Sequence, residues 1–214
     1  IVGDAQAEIL FVGSREQYAI ARRVATDQNC LRRIVAYTDF TLDADDSTTL
    51  TFSQLLKLGE AASAECRAEV DRRTRSAEAD DIATLLYTSG TTGDPKGAIL
   101  PHSCFTAAID AHHTRLSSLS DKDTAMCFLP LSHIFEKAWT YFALDRGIRV
   151  YVNRDPREIQ TTIREVHPTC MCAVPRFWEK AYAAINDKMQ RMKPLSRWMC
   201  RRALKVGSRR NLDY

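Results

Sequence analysis

Thr124-Ala125-Met126-Cys127-Phe128-Leu129-Pro130-Leu131-Ser132-His133 changes character once, at Pro130. Thr124 to Leu129 is a short apolar run that reads as a buried strand, and a proline, having no N–H, stops its pairing. Ser132 is a good N-cap, so a helix is expected from His133 to about Leu144, with Trp139, Phe142 and Ala143 facing a core. The alternation then repeats. Arg149-Val150-Tyr151-Val152 is the next strand, and Asp155-Pro156 is an N-cap followed by an N1 proline, opening a helix to about Val166. Thr169 to Val174 is a further buried strand, and Pro175 opens a helix to about Met192. The order β-α-β-α-β-α predicts an α/β fold: doubly wound, mostly parallel sheets with flanking helices.

Upstream lies Leu85-Leu86-Tyr87-Thr88-Ser89-Gly90-Thr91-Thr92-Gly93-Asp94-Pro95-Lys96-Gly97-Ala98-Ile99-Leu100. Ile82 to Tyr87 leads in as a strand and Ala98 to Leu100 leads out as another. Three glycines, four hydroxyl residues, a proline and a lysine sit between them. Glycines reach positive φ and let backbone N–H groups converge as a nest on phosphate oxygens. Thr88, Ser89, Thr91 and Thr92 add short donors, and Lys96 adds a point charge on a flexible stem. The P-loop pattern G-x-x-x-x-G-K-[ST] does not fit. Counted from Gly90, its second glycine falls on Pro95, and Gly97 rather than a hydroxyl residue follows Lys96.

Toward the N-terminus, Glu8 to Gly13 is a strand, Ser14 caps a helix over Arg15 to Asp27, and Arg33 to Tyr37 is a second strand. Tyr18, Ala21, Ala25, Ile20 and Val24 supply its apolar face. This spacing predicts a βαβ unit with parallel pairing. Thr38 to Thr49 is polar and acidic and reads as a solvated loop; it lacks the glycine and terminal glutamate of a calcium loop. Thr51 to Gly59 reads as a short helix ended by glycine. Ala61 to Ala79, rich in alanine and charge, is a surface helix or linker and the best internal boundary. The expected division is 1–79, a first βαβ portion with acidic loop and linker helix, and 80–214, the phosphate loop, the later alternation and a basic helical tail. Pro101-His102 opens a helix to about Arg115, on which His112 and His113 are adjacent and cannot share a face.

Apolar residues make up 45% of the 214, enough for a sizeable core. The seven cysteines are scattered, with no CxxC, which points to free thiols in a reducing cytosol rather than a disulfide framework or zinc site. No metal ligands are assigned. No apolar run approaches 18 residues. Residues 188–214 hold nine basic side chains and one acidic against +3 for the whole chain, so the remainder is net acidic. Such a tail reads as a helix that pairs with acidic parts of a longer protein or as a solvated face, and it also suits peripheral contact with anionic lipid. Nucleic acid is not expected, because no aromatic stacking platform accompanies the charge.

Tyr87 to Gly97 resembles the signature loop of the adenylate-forming (AMP-binding) superfamily. Phe128 to Lys137, and Val174-Pro175-Arg176-Phe177-Trp178-Glu179-Lys180-Ala181-Tyr182, resemble its long-chain fatty acyl-CoA synthetase branch. The resemblance is close over residues 82–182 and holds in outline beyond. It implies a piece of a large N-terminal domain, without the C-terminal domain, whose parent chain uses ATP, Mg2+ and coenzyme A to convert a long-chain fatty acid to an acyl-adenylate and then to acyl-CoA. It implies that Thr88, Ser89, Gly90, Thr91, Thr92 and Gly93 embrace phosphates, that Lys96 offsets their charge, and that His133, with Phe135, lines the acyl substrate. His102 and Arg176 are weaker carry-overs. The piece alone is then expected to lack turnover. The alternatives are another adenylate-forming ligase acting on an aryl, short-chain or amino acid, and a non-catalytic phosphate-binding module.

Overall fold

The computed structural model describes residues 1–89 and 93–211. The chain divides at 114/115 into two compact units. The 79/80 division, a boundary inside one larger domain, is a separate proposal.

In the first unit, β1 (Ile9–Val12), β2 (Arg33–Ala36) and β3 (Thr49–Thr51) form a parallel sheet in that order. The connection from β1 to β2 is α1 (Arg15–Asp27), the expected βαβ unit. Ser14 caps α1 by accepting from the Gln17 amide at 3.2 Å, and Gln17 Oε1 accepts from the Gly13 amide at 2.7 Å. These bonds satisfy helix-terminal donors that would otherwise be orphaned. Tyr18 and Ala21 are buried and pack with Val12, Ile34 and Ala36. Ile20, expected on that face, is exposed, because its side chain leaves α1 about 200° around from Tyr18.

α2 (Phe52–Glu60) starts with a capping box in which Thr51 and Gln54 bond reciprocally. Gly59 does not end it. The glycine lies inside the helix and Ala61 is the C-cap, its amide bonded to Lys57 O. α3 (Ala64–Arg75) buries no residue, as a surface helix should. β4 (Ile82–Ser89) and β5 (Pro95–Pro101) form an antiparallel hairpin, and α4 (His102–Arg115) follows.

In the second unit, β6 (Thr124–Cys127), β7 (Arg149–Val152) and β8 (Cys170–Met171) make a parallel sheet in the order β7-β6-β8. The chain leaves β6 for one side and crosses back to the other, the mark of double winding. α5 (Ile134–Asp145) buries Trp139, Phe142 and Ala143 as expected. Its N-cap is His133 rather than Ser132, and no side chain caps it. Asp155 accepts from the Arg157 amide and opens a 3-10 turn, Pro156–Glu158, ahead of α6 (Ile159–Val166). β6 and β8 are shorter than their apolar runs because both lead directly into loops at the same sheet edge. α7 (Pro175–Gln190) and α8 (Pro194–Asn211) complete the chain. Arg197 donates to the carbonyls of Gln190 and Met192, so one basic residue of the tail caps the end of α7. All seven cysteines are free. Among the described residues no helix is long and apolar enough to cross a membrane.

Candidate active site

Antiparallel pairing of β4 with β5 sets the geometry of the phosphate-loop candidate. Thr88 is registered opposite Lys96, and Ser89 opposite Pro95. Directly opposed residues share a face, so the Thr88 hydroxyl and the Lys96 ammonium stem belong to the same side of the hairpin end. Both residues are exposed, and Lys96 has no ion-pair partner among the described residues. Gly93 has φ +99°, a conformation that glycine adopts without strain. Gly90, Thr91 and Thr92 lie outside the described residues.

The register explains a further residue that sequence reasoning passed over. A Cβ on Gly97 would meet the Tyr87 ring at 2.8 Å, so the missing side chain makes room for the opposite tyrosine. Tyr87 donates its hydroxyl to Asp4 at 2.5 Å, tying the hairpin to the first residues of the chain. That bond, with some burial, raises the tyrosine pKa. The sequence signal was the Tyr/Gly pairing across a hairpin.

In the second unit, His133 stands at the start of α5, just past the C-terminal end of β6. Its amide bonds to Pro130 O at 3.0 Å, and its carbonyl accepts from Lys137 at 3.2 Å. Its side chain and that of Phe135, 54% exposed, project from this edge with Leu131 and Ile134. Parallel α/β sheets bind ligands at the carboxyl ends of their strands, where strand order reverses. Arg176 sits in the first turn of α7 and makes no ion pair with Glu179. His102 opens α4, its amide bonded to Asp81 O at 3.0 Å. His112 Nδ1 lies 2.6 Å from Ala108 O, a local helical contact. Among the described residues no three His, Cys, Asp or Glu side chains gather as a metal site.

Glu136 is the residue of this edge that its sequence position does not single out. It occupies the first turn of α5, where a glutamate is usually read as a solvated residue, yet it is 0% exposed. Burial raises its pKa, outweighing the Cys127 thiol and the Leu129 and Phe128 amides that favour the ion. The Cys127 thiol is pushed up to about 11 by burial and then by Glu136, and Cys172 to about 12 by burial first.

Parallel sheets with flanking helices, a glycine-rich hairpin between them in sequence, and open strand ends place this chain with the N-terminal domains of adenylate-forming enzymes. The AMP-binding enzyme family model matches residues 1–208, and the chain belongs to that family. It is similar to long chain acyl-CoA synthetase 1 of Arabidopsis thaliana, 27% identical over 213 residues, covering 93% of this chain and 31% of that protein. It is 29% identical over 226 residues to the long-chain-fatty-acid–CoA ligase ACSBG2 of Xenopus laevis, covering 99% and 29%. Among solved structures, the anthranilate CoA ligase AuaEII superposes with TM-score 0.58 at 21% identity, over 79% of this chain and 31% of that one. ATP-bound MatB from Rhodopseudomonas palustris gives 0.56 at 21%, over 84% and 32%. At that identity the likeness is one of fold. The chain spans about a third of the length of these curated relatives.

Proposed function

We propose that the full-length protein carrying this chain is a long-chain-fatty-acid–CoA ligase. A carboxylate oxygen attacks the α-phosphorus of ATP, and the bond to the bridging oxygen breaks as pyrophosphate leaves. The coenzyme A sulfur then attacks the acyl carbonyl, and the bond to AMP breaks. No Ser-His-Asp or Cys-His device is needed, since a fatty acid with pKa about 4 to 5 arrives ionised. The demand on the protein is to bring two anions together and hold the leaving group, which is positioning plus electrostatics.

The observation that carries the proposal is the hairpin register, which sets Thr88 against Lys96 beside a left-handed Gly93. Thr88, Ser89, Gly90, Thr91, Thr92 and Gly93 would hold the β and γ phosphates, with Lys96 offsetting their charge, and His133 would position the acid. Magnesium would arrive with ATP; among the described residues no three His, Cys, Asp or Glu side chains gather to hold it. The long-chain assignment is supported by the printed names of the curated relatives and by the residues of 128–137 and 174–182. The same proposal holds that this chain alone lacks turnover. It also places the protein in the cytoplasm, in peripheral contact with anionic membrane through α8, where Arg201, Arg202 and Lys205 are exposed beside Trp198.

The test is acyl-CoA formation from palmitate, ATP and coenzyme A by the full-length protein, with acetate and an aryl acid in parallel. Lys96→Ala, which removes one charge from the phosphate site, is expected to lower kcat/KM about 100-fold. Gly93→Ala, which forces a Cβ into a left-handed position, should act in the same direction. Turnover only with acetate or the aryl acid would move the protein to another branch of the family, and no adenylation by a folded protein would leave a non-catalytic module.

A further inference from the structure

The buried carboxyl of Glu136 serves no step of the ligation just described. It lies at the edge where β6 and β8 end, the central strand and the strand reached after the chain reverses sides. The ladder pairs Ala125 with Cys170 and Met126 with Met171, so Cys127 and Cys172 come next on the two strands. Glu136 reaches this place from the first turn of α5. Neither of its oxygens has a hydrogen bond of full geometry, and the groups within reach are the Cys127 thiol and the amides of Leu129 and Phe128. The Thr140 hydroxyl, one helical turn on, is likewise buried without a hydrogen bond of full geometry. Both buried thiols hold their protons and are neutral, and none of these neighbours is a cation that would balance a carboxylate.

Burying a carboxyl without full satisfaction is costly, and an apolar residue of the same volume would spare that cost. A glutamate at such a place is a candidate for function rather than packing. What it touches says which function. Phe128 and Leu129 begin the loop that ends at His133, and a weak Cys172 Sγ contact to Phe135 O, 4.0 Å, lies on the far side. Pro130 has no amide, and within the loop the His133 amide bonds to Pro130 O.

We propose that Glu136 is a positioning residue of the acyl-substrate site: wedged between the ends of β6 and β8, its carboxyl holds down the Phe128–His133 loop that presents His133 and Phe135. This rests on the ligase reading above for its substrate, though not for the anchoring itself.

Two variants separate anchoring from filling. Glu136→Met keeps the volume and removes the polar atoms; Glu136→Gln keeps polar atoms of the same shape. In the full-length protein, amide hydrogen exchange across residues 128–135 is expected to quicken about ten-fold in Glu136→Met and to stay within about three-fold of wild type in Glu136→Gln. The KM for palmitate should rise about ten-fold in Glu136→Met with the KM for ATP within two-fold, and Glu136→Gln should restore it. A Glu136→Met protein with wild-type exchange and wild-type palmitate KM would overturn the proposal, and so would equal impairment of both variants. If wild-type protein adenylates no acid, the ligase reading fails, while the exchange comparison still decides whether Glu136 holds the loop.

Discussion

Asp46 in the first unit and Glu136 in the second are carboxylates whose side chains are shut off from solvent, and the two are treated in opposite ways. Asp46, in the acidic loop of the first unit, has a side chain with 0% exposure. It accepts from Tyr18 Oη at 2.7 Å, from the Thr48 amide and hydroxyl at 2.8 and 2.9 Å and from the Thr49 amide at 3.0 Å, with Arg22 Nη1 at 3.4 Å. Burial alone would raise its pKa. The bonds from Thr49, Tyr18 and Thr48 outweigh burial and hold the carboxyl well below the usual range. Glu136, equally buried, has no bond of full geometry, and its pKa moves up. Burial is common to both; the count of donors decides the sign. Asp46 is built into the fold as an ion, whereas Glu136 is tolerated by it, which is why the second is the one to suspect of another role.

The largest effect expected from this contrast is on stability. Asp46→Ala strands the Tyr18 hydroxyl and the Thr48 and Thr49 amides together, and should cost about 3 kcal/mol, the loss being limited because Arg22 keeps Asp45. Glu136→Met should leave global unfolding neutral or more stable, with the loosening confined to residues 128–135, because it removes a carboxyl that the interior does not satisfy. Urea unfolding reads both. The three tryptophans, Trp139, Trp178 and Trp198, all lie beyond residue 114, so their fluorescence follows the second unit, while exchange of the β1 and β2 amides follows the first. Equal losses in the two variants would break the contrast.

Acidification should separate the units next. Asp46 has a folded pKa below its unfolded value, so its contribution is present above about pH 4 and is lost as pH falls through the folded value. Glu136 has a folded pKa above its unfolded value, so its contribution is present below about pH 4.5 and is lost as pH rises through the folded value. Lowering pH from 7 to 3 should therefore loosen β1 and β2 exchange before it shifts the tryptophan signal. Asp46→Asn should flatten the first response and Glu136→Gln the second.

Much of the fold was legible because local signals agreed with it. Ser14, Thr51 and Asp155 are caps in the structure, and the alternation from Thr124 to Pro175 is the sheet β7-β6-β8 with its helices. β3 escaped because three residues, Thr49-Leu50-Thr51, carry no periodicity of their own. The loop before it looks solvated in sequence because composition records charge and not burial. A signal was available. Asp46 with Thr48 and Thr49 has the spacing of a side chain that bonds the backbone two and three residues on, and a buried Tyr18 needs a partner for its hydroxyl. At the candidate site, Thr88, Gly93 and Lys96 were legible as residue types, but their opposition is a matter of register, and Tyr87 over Gly97 is visible only across the hairpin. Glu136 carried no local signal at all, since a first-turn glutamate is unremarkable in sequence.

Tyr18→Phe removes one of the donors to Asp46 and leaves the others. The same hydroxyl accepts from the Asp43 amide at 3.2 Å, so two bonds go with one atom. A loss of about 1 to 2 kcal/mol is expected in the exchange of β1 and β2, smaller than for Asp46→Ala because the carboxylate keeps the Thr48 and Thr49 donors.

The smallest effect sharpens the contrast within a single dipeptide. Asp45 and Asp46 are neighbours in sequence and both meet Arg22, Asp45 at 3.1 Å and Asp46 at 3.4 Å. By distance alone Asp45 is the better partner. It is 78% exposed, however, and water and salt screen an exposed pair whose side chains must also be ordered to meet. Asp45→Ala should therefore change unfolding by no more than about 0.5 kcal/mol, and that change should vanish in high salt. If Asp45→Ala cost as much as Asp46→Ala, ion pairing to Arg22 would be what stabilises this loop, and the hydrogen bonds from Tyr18, Thr48 and Thr49 would be incidental. The expected gap of several-fold between adjacent aspartates assigns the stability to burial with full satisfaction, the condition that Asp46 meets and Glu136 does not.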